Sequence, residues 1–136
     1  HFIAPEGLQI GQDILDSLNA SAVAYTLGND LSGILSEIDA VYMTRIQDEW
    51  DTAGESSSID VLDYAITPER LLVMKEDAVI MHPLPRRGEI SPVVDADPRA
   101  MYWRQVRNGM WVRAALLLLV FERDREVDRY FNDLTR

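Results

Sequence analysis

Apolar residues near the start of the chain recur at helical spacing. Ile10, Ile14, Leu15 and Leu18 share one face and predict a helix over residues 11–20. Before it, Phe2-Ile3-Ala4 reads as the end of a strand stopped by Pro5. Residues 22–27 have a β-branched centre and predict a second strand. Leu31, Ile34, Leu35 and Ile38 form another apolar face, so a short helix is expected over 31–37, capped by Asn29 or Asp30. The apolar runs 40–43 and 78–81 predict two further strands, and Thr67-Pro68 opens a helix between them. Residues 51–58 are polar, with few side chains able to build a core, and read as a mobile loop. Asp97-Pro98 repeats the cap-then-proline signature, giving a helix to about residue 107, and Asn108-Gly109 reads as its stop or a bend. A last helix carries Trp111, Ala114, Ala115, Leu118 and Leu119 into a charged tail. There Glu122/Arg125, Glu126/Arg129 and Arg129/Asp133 can pair.

Strands alternating with helices imply an α/β fold: a parallel sheet with helices on both faces in a Rossmann-like, three-layer arrangement. The expected division is an α/β domain over 1–109 and a C-terminal helical part over 110–136. No Gly-rich phosphate loop is present, since Gly7 and Gly11 have the wrong spacing and context.

In such sheets ligands bind at the carboxyl ends of the strands. Two strand ends carry chemistry. The run 78–81 stops at His82-Pro83-Leu84-Pro85-Arg86, where two prolines fix their own φ and push the preceding residues towards extended geometry. The expected result is a stiff loop with carbonyls in set directions. The run 40–43 leads into Thr44-Arg45-Ile46-Gln47. A guanidinium there suits a carboxylate, which it can grip with two parallel bonds. By pattern alone Arg45 reads more readily as a surface arginine with its head in water. Gln47 shares a side with Arg45 if the backbone stays extended, and Glu49 has the same parity. His82, alone at a strand end, reads as structural.

Charge narrows the partners. The formal net charge is −10, which argues against nucleic acid and against an anionic membrane surface. An anionic substrate would need a local positive site to offset the field of the whole molecule. Hydrophobic residues make up 47% of the chain, enough for a core. There is no cysteine, hence no disulfide framework. The first residues, His1-Phe2-Ile3, carry no basic stretch, and the expected compartment is the cytoplasm.

The segments 42–47 and 82–86 together resemble the aspartate-binding half of the aspartate carbamoyltransferase family. Phe2-Ile3-Ala4-Pro5, Glu89-Ile90, Val94-Asp95, Asp97-Pro98-Arg99-Ala100, Tyr102 and Asn108-Gly109 agree in order and spacing, so the resemblance runs from Phe2 to about Phe121. It implies synthesis of N-carbamoyl-L-aspartate and phosphate from carbamoyl phosphate and L-aspartate, an early step of pyrimidine synthesis. No metal, cofactor or covalent intermediate is implied. It further implies that Arg45 binds the aspartate carboxylates, that Gln47 bonds the same ligand, and that Glu49 positions the arginine. Pro83 and Leu84 would face carbamoyl phosphate and aspartate through backbone carbonyls. Arg86 would be a supporting, interface or interdomain arginine, and residues 51–58 a closing loop. The assembly implied is a homotrimer with sites between subunits, alone or with regulatory or fused pyrimidine-pathway partners. Asp48 and Trp50 depart from the family, which often has basic residues nearby.

Two other readings stand beside this one. An ornithine-type carbamoyltransferase usually has cysteine at the position of Pro83 and a Ser-Met-Gly loop; this chain has neither. A non-catalytic binding or regulatory module is the second. The chain lacks the family's carbamoyl-phosphate domain and its Ser-x-Arg-Thr loop, so it is expected to be one half of a longer protein and inactive by itself. The strand preceding His1 is expected to be central, and its absence to leave two exposed edges. The C-terminal helix is expected to pack on the absent domain.

Overall fold

The structure, a computed structural model, describes residues 1–45 and 60–134. Parallel strands and helices alternate along it. Strand β1 (Phe2–Ile3) leads through a 3-10 turn (Glu6–Leu8) to helix α1 (Gln12–Ala20), and β2 (Leu27–Gly28) then pairs parallel to β1. Strand β3 (Ala40–Tyr42) pairs parallel to β4 (Val79–Met81), with Ala40 opposite Val79 and Tyr42 opposite Met81. The four-residue helix α2 (Pro68–Leu71) precedes β4; α3 (Tyr102–Val120) and α4 (Asp124–Leu134) follow it. Among the described residues the strands form two parallel pairs, β1-β2 and β3-β4. No described helix is long and apolar enough to cross a membrane.

The core lies around β3 and β4. Leu31, Leu35, Val41, Met43, Ile66, Met74, Ile80, Ile90, Val94 and Tyr102 belong to one buried cluster. Every fully buried hydrophobic residue described lies between positions 31 and 102; α1 and α4 contribute none. Ile80 is held from both sides. It pairs with Val41 of β3, and its backbone also bonds to the 99–101 segment: Ile80 N donates to Arg99 O at 2.8 Å and Met101 N donates to Ile80 O at 2.9 Å. Ile66 is bracketed the same way, its N donating to Glu89 O at 2.8 Å and its O accepting from Ser91 N at 3.0 Å.

Four local expectations are corrected. The strand expected over 22–27 is reduced to Leu27–Gly28, because α1 ends in a Schellman motif that consumes the donors ahead of it. Val23 N donates to Leu18 O and Ala22 N to Asn19 O, both at 3.1 Å, and Ala22 sits in left-handed geometry at φ 52°. Residues 32–37 form turns, not a helix. Ile34 N reaches Leu31 O and Glu37 N reaches Ile34 O, so the bonds close three residues back, across a Ser-Gly pair that favours turns. The apolar positions still face inward, with Leu31 and Leu35 buried and Ile34 and Ile38 half-buried.

Asp97 caps no helix. Its carboxylate is taken by the Arg99 backbone and guanidinium, and α3 begins only at Tyr102. Asn108-Gly109 is neither stop nor bend, since α3 runs through it for 19 residues. The break comes at Phe121–Glu122, in a second Schellman motif. Arg123 N donates to Leu118 O at 2.8 Å, Glu122 N donates to Leu119 O at 3.1 Å, and Glu122 has φ 55°.

Candidate functional site

The carboxyl ends of β1, β3 and β4 lie against two cavities. The ladder of β3 and β4 continues one bond beyond the strands, with Met43 N donating to Met81 O at 2.9 Å. The chain then turns out through exposed Thr44 to half-buried Arg45. Arg45 lines a cavity of about 350 Å³ whose other walls include Ala4 and Pro5 after β1, Leu31, Tyr42 and Tyr64. A guanidinium lining such a hollow can hold a carboxylate through paired bonds.

The loop after β4 lines the second cavity, of about 700 Å³. Pro83, Leu84, Pro85 and Arg86 form one wall, and Trp103, Gln105 and Arg113 of α3 another. Tyr42 is a wall of both cavities. Arg45 and the Pro83-Leu84 pair therefore flank one exposed ring rather than share one hollow. Gln47, Glu49, Asp48, Trp50 and the 51–58 loop lie outside the described residues.

The 82–86 loop is fixed from beneath. His82 is fully buried, and its ring is bonded on both sides. Leu84 N–H donates to His82 Nδ1 at 2.8 Å, so Nδ1 carries no proton and the ring N–H is on Nε2. That N–H faces Glu89 Oε1 at 2.7 Å. Glu89, also buried, accepts from Arg87 N through both oxygens at 3.1 Å. Gln105 ties the same loop to α3. Its Oε1 accepts from His82 N at 2.9 Å, and its Nε2 donates to Tyr42 OH at 3.1 Å.

The expectation of extended backbone before each proline fails at Leu84. That residue has φ 49° and the Leu84–Pro85 peptide is cis. A leucine in left-handed geometry is unfavourable by itself; the bond from its N–H to the His82 ring holds it there.

Arg86 is held within the chain. Its fork grips the Asp95 carboxylate, with Nη2 to Oδ2 at 2.6 Å, and Nη1 also reaches Tyr102 OH at 3.2 Å. The guanidinium lies over the rings of Tyr102 and Trp103, 5.6 and 5.8 Å from their centres. Asp95 accepts from the Tyr102 hydroxyl as well. The bond to Arg86, then that to Tyr102, holds the Asp95 carboxyl at about 2, below its usual 3.8. Burial, then the bond to Asp95, pushes the Tyr102 phenol from 10.0 up to about 12. Among the described residues no group of three or more His, Cys, Asp and Glu side chains could hold a metal ion.

Sequence reasoning passed over Glu89, Gln105 and Tyr42 as site residues. The signal available was the spacing of His82 and Glu89 across the loop, which permits the carboxylate to return to the ring. Tyr42 and Gln105 meet only through the tertiary fold.

Parallel strands whose carboxyl ends carry an arginine and a proline-rich loop beside open cavities define an α/β domain. The family model described as "Aspartate/ornithine carbamoyltransferase, Asp/Orn binding domain" matches residues 1–120, and the chain belongs to that family. It is 43% identical over 125 residues to an aspartate carbamoyltransferase, chloroplastic, of Arabidopsis thaliana, covering 88% of this chain and 31% of that protein. It is 37% identical over 121 residues to the multifunctional protein pyr1-3 of Dictyostelium discoideum, covering 89% of this chain and 5% of that one. Among solved structures, aspartate transcarbamoylase from Trypanosoma cruzi in complex with carbamoyl phosphate superposes with a TM-score of 0.76 at 38% identity, over 85% of this chain and 38% of that one. The same enzyme with carbamoyl phosphate and aspartate gives a TM-score of 0.72 at 36% identity, over 85% of this chain and 37% of that one. The chain thus spans less than half the length of each of these relatives.

Proposed function

We propose that this chain is the aspartate-binding half of an aspartate carbamoyltransferase acting in pyrimidine synthesis. In this reading the amine of L-aspartate attacks the carbonyl carbon of carbamoyl phosphate. A C–N bond forms, the bond to the phosphate oxygen breaks, and the amine gives up a proton. N-carbamoyl-L-aspartate and phosphate leave. Arg45 and Gln47 bind the aspartate, and the carbonyls of Pro83 and Leu84 receive N–H groups of carbamoyl phosphate and aspartate. Glu49 and Arg86 support these groups, Arg86 by fixing the loop to Asp95 and Tyr102. Residues 1–109 bind aspartate and 110–136 pack on the carbamoyl-phosphate domain, with α3 crossing from one to the other without a break. The enzyme is a homotrimer and uses no metal or cofactor.

The observation that carries this reading is the placement of Arg45. It is a half-buried guanidinium at the carboxyl end of β3, lining a cavity beside the carbonyl loop of β4. In a chain of net charge −10, that local cation offsets the field an anionic amino acid would meet. The test is steady-state kinetics on the full-length enzyme. Arg45→Ala should raise the KM for aspartate by at least about tenfold, the loss expected for charge-assisted bonds, with little change for carbamoyl phosphate. An unchanged KM for aspartate, or turnover of ornithine in its place, would sink the reading.

A further inference from the structure

The buried pair His82–Glu89 has no place in the reaction as described, yet it lies directly behind the groups that receive substrate. We infer that Glu89, acting through the His82 ring, sets the direction of the Pro83 carbonyl. Glu89 and His82 are then positioning residues for the reaction proposed above, and the inference rests on that reading.

The geometry is a chain of single bonds. Glu89 Oε1 fixes His82 Nε2 at 2.7 Å, which fixes the ring and leaves Nδ1 as an acceptor. Nδ1 takes the Leu84 N–H at 2.8 Å. That N–H belongs to the same planar peptide unit as the Pro83 carbonyl. The Pro83–Leu84 peptide is not among the cis bonds, so its C=O points opposite to its N–H. With the N–H drawn inward to a fully buried ring, the Pro83 oxygen is aimed outward, and Pro83 and Leu84 line the second cavity. Pro83 has no N–H of its own to compete for the ring. Glu89 also clamps the far side of the loop through Arg87 N, so one carboxylate braces both ends.

A carbonyl dipole held before substrate arrives needs no reorganisation during reaction. A carboxylate buried to 4% exposure is costly unless its oxygens are bonded, and both Glu89 oxygens are, to the His82 ring and the Arg87 N–H. An apolar pair of similar volume would pack the same space without fixing the Leu84 N–H.

The test uses the full-length enzyme and three variants. Glu89→Gln keeps an oxygen that can accept from both His82 Nε2 and Arg87 N, and should retain most of the wild-type kcat. Glu89→Ala frees the ring, and kcat should fall roughly 10- to 100-fold, as for a misaimed reacting group. The affinity for inorganic phosphate, the probe of the other half of the site, should be unchanged. Glu89→Asp keeps a buried carboxylate but is one methylene short of the ring; its kcat should fall as well, which covers the case in which the alanine variant does not fold. Rescue by glutamine together with the split between kcat and phosphate affinity supports the inference. An active wild type whose alanine or aspartate variant keeps the wild-type kcat overturns it alone. A wild-type enzyme that makes no carbamoyl aspartate overturns the functional reading first, and this inference with it.

Discussion

At the scale of single residues, the strongest local electrostatics belong to Arg86, Asp95 and Tyr102, which bind one another behind the carbonyl loop. Their titration has a definite sign. The Asp95 carboxyl lies near 2 in the fold against 3.8 ordinarily, so its stabilising effect is present above pH 3.8 and is lost as the pH falls through about 2. The Tyr102 phenol lies near 12 against 10.0. Its contribution is full below pH 10 and is lost as the pH rises through about 12. Phenolate absorbance should therefore show one tyrosine ionising about two units above an unfolded control. Asp95→Asn should flatten the acid limb of the stability curve below pH 4. A native titration with every tyrosine near 10 would contradict this assignment. The place of Arg45 was legible at this scale: an arginine after an apolar run is a rim residue by pattern, and Arg45 follows β3 at its carboxyl end. Where a side chain spends its bonds was not legible. Arg86 follows two prolines in the sequence, and its partner lies nine residues on, beyond any helical spacing.

At the scale of elements, β1, β3, β4, α1 and α2 followed their local cues, while β2 and both ends of α3 did not. Glycine is the usual signal for a left-handed terminus, and the chain reverses it twice. Ala22 and Glu122 take the left-handed position at the ends of α1 and α3, whereas Gly109 sits inside α3. A Cβ there would meet only Arg113 Nη1, at 3.5 Å, which is ordinary contact.

Arg99 is the other element-scale feature. Its fork grips Asp97 and its Nη1 donates to Leu71 O at 2.9 Å, with Met74 O and Lys75 O at 3.3 Å. One side chain thus closes the carboxyl end of α2 and fastens it to the segment bridging Ile80. Because these are charge-assisted bonds at a largely buried group, Arg99→Ala should cost about 2–3 kcal/mol in denaturant unfolding. Arg99→Lys, lacking the planar fork, should recover only part of that. A loss below about 0.5 kcal/mol, the range of an ordinary surface substitution, would show that the bonds are made equally well by water.

At the scale of the whole molecule, the carboxyl-terminal helices expose a run of apolar side chains that the core does not reach. Trp111, Leu117, Val120 and Phe121 on the carboxyl-terminal side of α3 are exposed, as are Val127, Tyr130, Phe131 and Leu134 of α4. The parallel α/β class could be read from the alternation of apolar runs, because that alternation is what a layered fold must bury. The separation into two strand pairs could not, since it depends on which strands meet.

The placement of the core has a consequence in time. With all the described fully buried hydrophobic residues between positions 31 and 102, the amides of β3, β4 and the Ile66 bridge should open only with the whole molecule. Those of α1 and α4, which bury no residue, should open on their own. Along α3, protection against deuterium uptake should be greatest beside fully buried Tyr102 and should fade towards Val120. Peptide-level exchange on the 136-residue chain would read this gradient directly, and uniform protection from α1 to α4 would contradict it. The order of opening would then run from the two ends inward to the strands that carry the site.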